Sequence, residues 1–192
     1  SCPEAAKIKD RRGCTPLHSV CTNKAPTEVL FLLLDLYPEA VEMKNRKGYT
    51  PLHTAYLSEA PEVMSLLLKK CPEAAKVKDN RKKTLLHHAS KIGAHLGIVM
   101  QLLEKWPGAA KEKDKDQKTP LDIARSTRGS SKLITSLISG VSHILHDNVN
   151  LEQINFVLRD FILAEWWGGV AIILDHRADI AERLELHDMV FP

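Results

Sequence analysis

Histidine is the side chain most ready to act as a general base or a metal ligand near neutral pH. The nine histidines are therefore where chemistry would first be sought. His18 and His53 each end a Thr-Pro-Leu-His tetrapeptide, and His87 ends Thr-Leu-Leu-His. A catalytic or zinc site needs several groups converging on one point. Three histidines in the same local setting, 35 and 34 residues apart, are instead spread along the chain. His143 and His146 are three apart and share a helical face, with no third and fourth ligand at a sensible spacing. Asp175-His176 has no serine or cysteine nucleophile in a motif around it, and no G-x-S-x-G or phosphate-binding glycine loop is present. Cys2, Cys14, Cys21 and Cys71 form no C-x-x-C pair and read as reduced, partly buried thiols. The expectation is a chain with no catalytic residues, no metal and no cofactor.

What positions these histidines is a repeat. TPLH at 15–18 returns as TPLH at 50–53, TLLH at 84–87 and TPLD at 119–122. PEAAK at 3–7 returns as PEAVE, PEAAK and PGAAK at 38–42, 72–76 and 107–111 in the same register. Ahead of each tetrapeptide stands a polar turn: DRRGCT, NRKGYT, DNRKKT and DKDQKT. Asp or Asn with Gly13 or Gly48 makes a tight turn. Thr15, Thr50, Thr84 and Thr119 then stand where an N-cap hydroxyl is wanted, with proline at the first helical position in three of the four. A short helix follows, broken at Ala25-Pro26, Ala60-Pro61, Gly93 and Gly97, or Gly129. The second helix carries one apolar stripe: Val29/Leu30/Leu33/Leu34, Val63/Met64/Leu67/Leu68, Ile98/Val99/Leu102/Leu103 and Leu133/Ile134/Leu137/Ile138. Neither helix buries its face alone; stacked units share one core.

This pattern, D-x-x-G-x-T-P-L-H-x-A followed by a leucine-rich helix, resembles the ankyrin repeat over residues 1–140. The resemblance implies an all-α ankyrin-repeat solenoid of helix-turn-helix units, joined by β-turn or hairpin loops and closed by a helical C-terminal cap. It places the tail of a preceding repeat at 1–9 and repeats at about 10–44, 45–78, 79–113 and 114–140. Residues 141–192 are expected to form a degenerate repeat or capping segment. There Leu151, Ile154, Leu158 and Phe161 follow a cap at Asn150, ILDHRADIA echoes the end of an ankyrin unit, and Trp166 and Trp167 serve as packing residues. SCPEAAK at the start matches KCPEAAK at 70–76, which reads as a fragment of a longer array. In this family His18, His53 and His87 bond local backbone and tighten the turn between units. Lys82 and Gln117 replace the turn glycine, so their turns are expected to be less regular. Leu85 replaces proline, Asp122 replaces histidine, and Pro-Glu-Ala implies a second helix that ends differently.

Function must then lie on the surface. Residues 1–140 hold 24 Lys+Arg against 15 Asp+Glu, a net +9, while residues 141–192 hold 3 against 9, a net −6. The turns carry Arg11, Arg12, Arg46, Lys47, Arg81, Lys82, Lys83 and Lys115. With Tyr49 as aromatic anchor and Thr54 and His88 on first helices, they form the expected partner-binding set. The expected partner is another protein with an acidic segment, steered along the turns by charge. Phosphate-driven nucleic-acid binding fits less well, because aromatics are only 5% of the chain and nearly absent from the turns. A regulatory array of a larger multidomain enzyme is the other alternative. No apolar run reaches membrane-spanning length, the expected location is intracellular and cytoplasmic, and nothing fixes an oligomeric state.

Overall fold

The computed structural model of the 192-residue chain describes residues 3–23, 25–91, 95–128, 131–146 and 151–177. Within it the chain divides into two compact units, Ser1–Leu85 with Asp114–Asp116, and Leu86–Lys113 with Gln117–Pro192. The elements are α1 (Pro16–Asn23), α2 (Thr27–Leu36), α3 (Pro51–Leu57), α4 (Pro61–Lys70), α5 (Leu85–Ala89), α6 (Leu96–Lys105), α7 (Pro120–Ser126), α8 (Lys132–Ile144), α9 (Leu151–Leu163) and α10 (Trp167–His176). No strand is present among the described residues. This is an all-α repeat array.

Each repeat is built the same way. The second helix stops one residue before a proline, because that residue is pushed out of the helical region: Tyr37, Cys71 and Trp106 have φ near −151°, −133° and −150°. The Pro-Glu-Ala or Pro-Gly-Ala stretch then makes a short 3₁₀ turn, at Pro3–Lys7, Pro38–Val41, Pro72–Lys76 and Pro107–Lys111. Its alanines, among them Ala40, Ala74, Ala75, Ala109 and Ala110, are buried. Small side chains there let the turn lie close against the helices.

The apolar stripes of α4 and α6 are wholly buried, as the periodicity predicts, with Leu67 and Leu103 at 0% exposure. The stripe of α2 differs: Leu30 and Leu34 are buried, but Val29 is exposed and Leu33 only half-buried. In α8, Leu133 is likewise exposed while Ile134, Leu137 and Ile138 are buried. Gly97 corrects the expected break, since it lies inside the first turn of α6; Gly93 and Gly129 fall outside the described residues. The helix α8 continues past residue 140 to Ile144.

Residues 151–177 form a helix pair with the turn geometry of α3–α4. Glu59 and Glu165 both adopt left-handed backbone, at φ 50° and 53°. The next residue in each case, Ala60 or Trp166, donates its N–H five residues back, to Ala55 O or Phe161 O. The Gly140 Cα sits against Val157 and Phe161, where an added Cβ would lie 2.8 Å from Val157 Cγ1, so α8 and α9 approach closely. Ile154, Leu158 and Phe161 are buried as the spacing predicts; Asn150 and the end of ILDHRADIA lie outside the described residues. Trp166 packs edge-on against Phe161 and donates from Nε1 to Glu104 Oε1 at 2.6 Å. Trp167 is 43% exposed, so of the two tryptophans only Trp166 is buried.

Candidate interaction groove

The turns that bear the charges are fixed by one side-chain oxygen each. Asp10 Oδ1 accepts from the N–H groups of Arg12 and Cys14, both at 2.8 Å. Asn45 Oδ1 accepts from Lys47 and Tyr49 at 3.0 and 3.1 Å, and Asp79 Oδ1 from Arg81 and Lys83 at 2.8 Å. These are Asx turns, in which the side chain stands in for a backbone acceptor. The backbone closes each loop as well: Asp10, Asn45 and Asp79 donate to the carbonyls of Cys14, Tyr49 and Lys83. The fourth residue of the turn is left-handed, at φ 78° for Gly13 and 83° for Gly48.

Lys82 and Gln117 occupy the same conformation at φ 59° and 58°. The turn at Lys82 is as regular as those with glycine, since Lys82 N–H still reaches Asp79 O at 3.0 Å. At Lys82 the expected irregularity is therefore absent; the substitution is carried as backbone strain, which costs about 1 kcal/mol for a non-glycine residue. Successive turns are joined by backbone bonds, Arg46 N–H to Arg12 O and Lys115 N–H to Arg81 O, both 2.9 Å.

Behind the turns lie the threonine–histidine pairs. Thr15 Oγ1 and N–H lie 2.9 and 3.1 Å from His18 Nδ1, and His18 Nε2 lies 3.0 Å from Tyr49 O. Two donors on Nδ1 and a carbonyl at Nε2 set the tautomer: Nδ1 accepts and Nε2–H donates. His87 Nε2 makes the same bond to Lys118 O at 3.1 Å. Each of these two histidines thus ties its repeat to the turn of the next, 31 residues on. Burial pulls the His18 pKa down, keeping the ring neutral, with the Tyr49 carbonyl opposing. Thr50 is a true N-cap, accepting from His53 N–H. Thr119 forms a reciprocal capping box with Asp122, whose pKa is lowered by the Thr119 N–H and hydroxyl. Thr84 is fully buried. Asp122 thus takes over the histidine's place by capping where the others tie.

In the first unit an open groove of about 630 Å³ lies between two turns and the first helices α1 and α3. Arg11, Arg12, Arg46 and Lys47 form its rim, and Tyr49, Thr54 and Leu57 line it together with Cys14, Thr22 and Asn45. Six of the residues expected to bind a partner therefore meet in one place. All four rim cations are exposed, and none makes an ion pair within 4 Å among the described residues. The Tyr49 ring stacks on His53, with centroids 6.0 Å apart. Leu57 is 54% exposed, a large apolar side chain left in a polar setting. Sequence reasoning missed Asn45 and Thr22 as groove residues; Asn45 was legible only as a turn-former.

The remaining residues of the expected set are placed differently. Arg81, Lys82 and Lys115 are exposed on the later turns of the same unit. Lys83 is a correction: its ammonium lies 3.6 Å from the buried Asp114 carboxylate and its side chain is only 15% exposed, so its charge is used inside the fold. His88 is half-buried in the second unit. That unit has a groove of its own, about 570 Å³, lined by Arg125, Lys132 and His143 but also by Glu152 and Asp160, with Phe156 exposed at its edge. Its charges are mixed where those of the first are of one sign.

Burial alone pushes the Cys21 thiol up to about 12, so no thiolate is available there at neutral pH, and it raises Cys71 as well. Cys14, Cys21 and Cys71 are free thiols; Cys2 lies outside the described residues. Among the described residues no group of three or more His, Cys, Asp or Glu side chains is placed to hold a metal ion, and no helix is long and apolar enough to cross a membrane.

Two family models match the chain: one described as ankyrin repeats (many copies) over residues 2–55, and one described as ankyrin repeats (3 copies) over residues 61–147. Between them they cover the turns, the threonine–histidine pairs and the groove residues other than Leu57. No curated protein matches the chain.

Proposed function

Because the chain belongs to the ankyrin-repeat family, whose members are generally protein–protein interaction modules, we propose that it binds an acidic segment of a partner protein in the groove between its first two turns. The observation that carries this reading is the groove's composition: four rim cations with no ion pair among the described residues, no carboxylate among the described lining residues, and exposed Leu57 beside Tyr49. Charge of one sign raises the encounter rate and orients an acidic partner, while an apolar side chain of that partner covers Leu57 and packs on the Tyr49–His53 stack. The chain has no chemistry of its own in this reading. Residues 151–177 serve as a fifth, capping unit, since their helix pair shares the turn of α3–α4 and the proline-free stop of α10 at Arg177 has the extended φ of the other second helices, −135°.

The test is a fluorescence titration of the full chain with a labelled peptide holding four Glu and one Leu, run beside a twelve-nucleotide single strand. Binding of the peptide that weakens from low to physiological salt and is poorly displaced by the oligonucleotide supports the proposal. Tighter, steeply salt-dependent binding of the oligonucleotide would mean a phosphate-backbone binder instead.

A further inference from the structure

The two pairs of adjacent turns in the first unit differ in one respect that bears on the ligand. In the first pair, Arg46 N–H bonds Arg12 O at 2.9 Å, so two arginine backbones are held in direct contact, each with a second cation beside it, Arg11 and Lys47. In the second pair, Lys115 N–H bonds Arg81 O in the same way, but Asp114 and Asp116 stand in the fourth turn. Asp116 holds the place that Arg12, Lys47 and Arg81 hold in the other turns. The first pair concentrates positive charge and the second dilutes it.

The position that anchors each turn makes the contrast sharper. It is Asp10, Asp79 and Asp114 in three turns and Asn45 in the second. The turn asks only for an oxygen acceptor, and Asn45 Oδ1 supplies one to Lys47 and Tyr49 without a negative charge. Asn45 lines the groove, whereas Asp10 does not. The Asp10 carboxylate is occupied by its own turn, and the N–H of Cys14 holds its pKa down. A carboxylate at position 45 would stand in the groove among Arg12, Arg46 and Lys47.

We propose that this groove takes a phosphorylated side chain of the partner, and that Asn45 is the residue that sets this preference by keeping the groove free of carboxylate. A phosphoserine brings close to two negative charges and three acceptor oxygens to one point. A guanidinium meets such oxygens with paired N–H donors, and two arginines on hydrogen-bonded turns reach one such group together. Nucleic acid is the poorer fit, because its evenly spaced phosphates call for a longer stripe, and here the stripe is interrupted by exposed Asp116 and loses Lys83 to the buried Asp114.

The inference rests on the reading that the groove binds an acidic segment, and the experiment separates the two. The full chain is titrated with labelled Gly-Leu-Gly-pSer-Gly-Leu-Gly, with its Ser and Glu counterparts, and with a twelve-residue oligothymidylate. The phosphopeptide is expected to bind roughly tenfold more tightly than the Glu peptide, and the Ser peptide not measurably. N45D is expected to weaken the phosphopeptide by about three- to tenfold while its melting temperature stays within a few degrees of the parent, because aspartate anchors the equivalent turns. Equal binding of the phospho- and Glu peptides overturns the phosphate preference and leaves the acidic-segment reading standing. No binding of either, nor of the four-Glu, one-Leu peptide, overturns both. Unchanged phosphopeptide affinity in a folded N45D removes Asn45 from the account, and stronger binding of the oligothymidylate replaces a protein ligand with nucleic acid.

Discussion

The first and second turns and the third and fourth share one backbone and differ in what hangs from it. Both pairs are joined by the same 2.9 Å bond, Arg46 to Arg12 and Lys115 to Arg81. The first pair has glycine where the chain turns left-handed and no carboxylate toward the groove; the second has Lys82 and Gln117 there, with Asp114 drawing in Lys83. The frame tolerates either choice because its hydrogen bonds come from the backbone and one Asx oxygen. Charge is therefore free to vary from turn to turn without disturbing the frame.

The comparison breaks most visibly at Gly48. An alanine Cβ there would sit 2.3 Å from Asn80 Cγ and 2.6 Å from Asn80 N, in a φ that side chains avoid. Gly48→Ala should cost about 2–4 kcal/mol by urea denaturation, since left-handed strain and a backbone clash add. Removing the tie behind the first pair comes next: His18→Ala takes the ring acceptor from the Thr15 N–H and one of two donors from Tyr49 O, and should cost about 1–3 kcal/mol.

Acidification probes the same tie. The His18 pKa in the fold lies below the ordinary 6.5 because the ring is buried. The unfolded chain then binds the proton first, so this contribution is fully present above pH 6.5 and is lost as the pH falls below it. Urea midpoints of the parent should decline below pH 6.5 more steeply than those of His18→Gln, which has no such group. Smallest and opposite in sign, Lys82→Gly should stabilise by about 1 kcal/mol by relieving strain at φ 59°. Gly13→Lys at the equivalent turn should destabilise by a similar amount.

Much of this frame was legible in the residues. Threonine before proline named the caps at Thr50 and Thr119, and the leucine stripes gave the buried faces of α4 and α6. Six of the expected partner-binding residues line one groove because their repeat register forces neighbouring turns together. What escaped depends on contacts made across the fold. Lys83 looked like one more exposed cation until Asp114, 31 residues on, was seen beside it. Gly97 looked like a breaker, but the buried stripe of α6 outweighs a glycine in its first turn. The exposure of Val29 and Trp167 is set by what neighbours them, which periodicity does not encode. Asn45 was readable only as a turn residue, because the absence of a charge has meaning only once its surroundings are known.

The most direct test of the account is the affinity of the labelled four-Glu, one-Leu peptide for the full chain and for two charge-reversed variants at low salt. The account predicts that R12E/R46E weakens binding by about tenfold or more, as the loss of two charge-assisted contacts requires, while R81E/K115E changes it by less than about threefold. Equal losses in the two variants, or none in the first, would contradict the claim that the groove between the first two turns is the docking site.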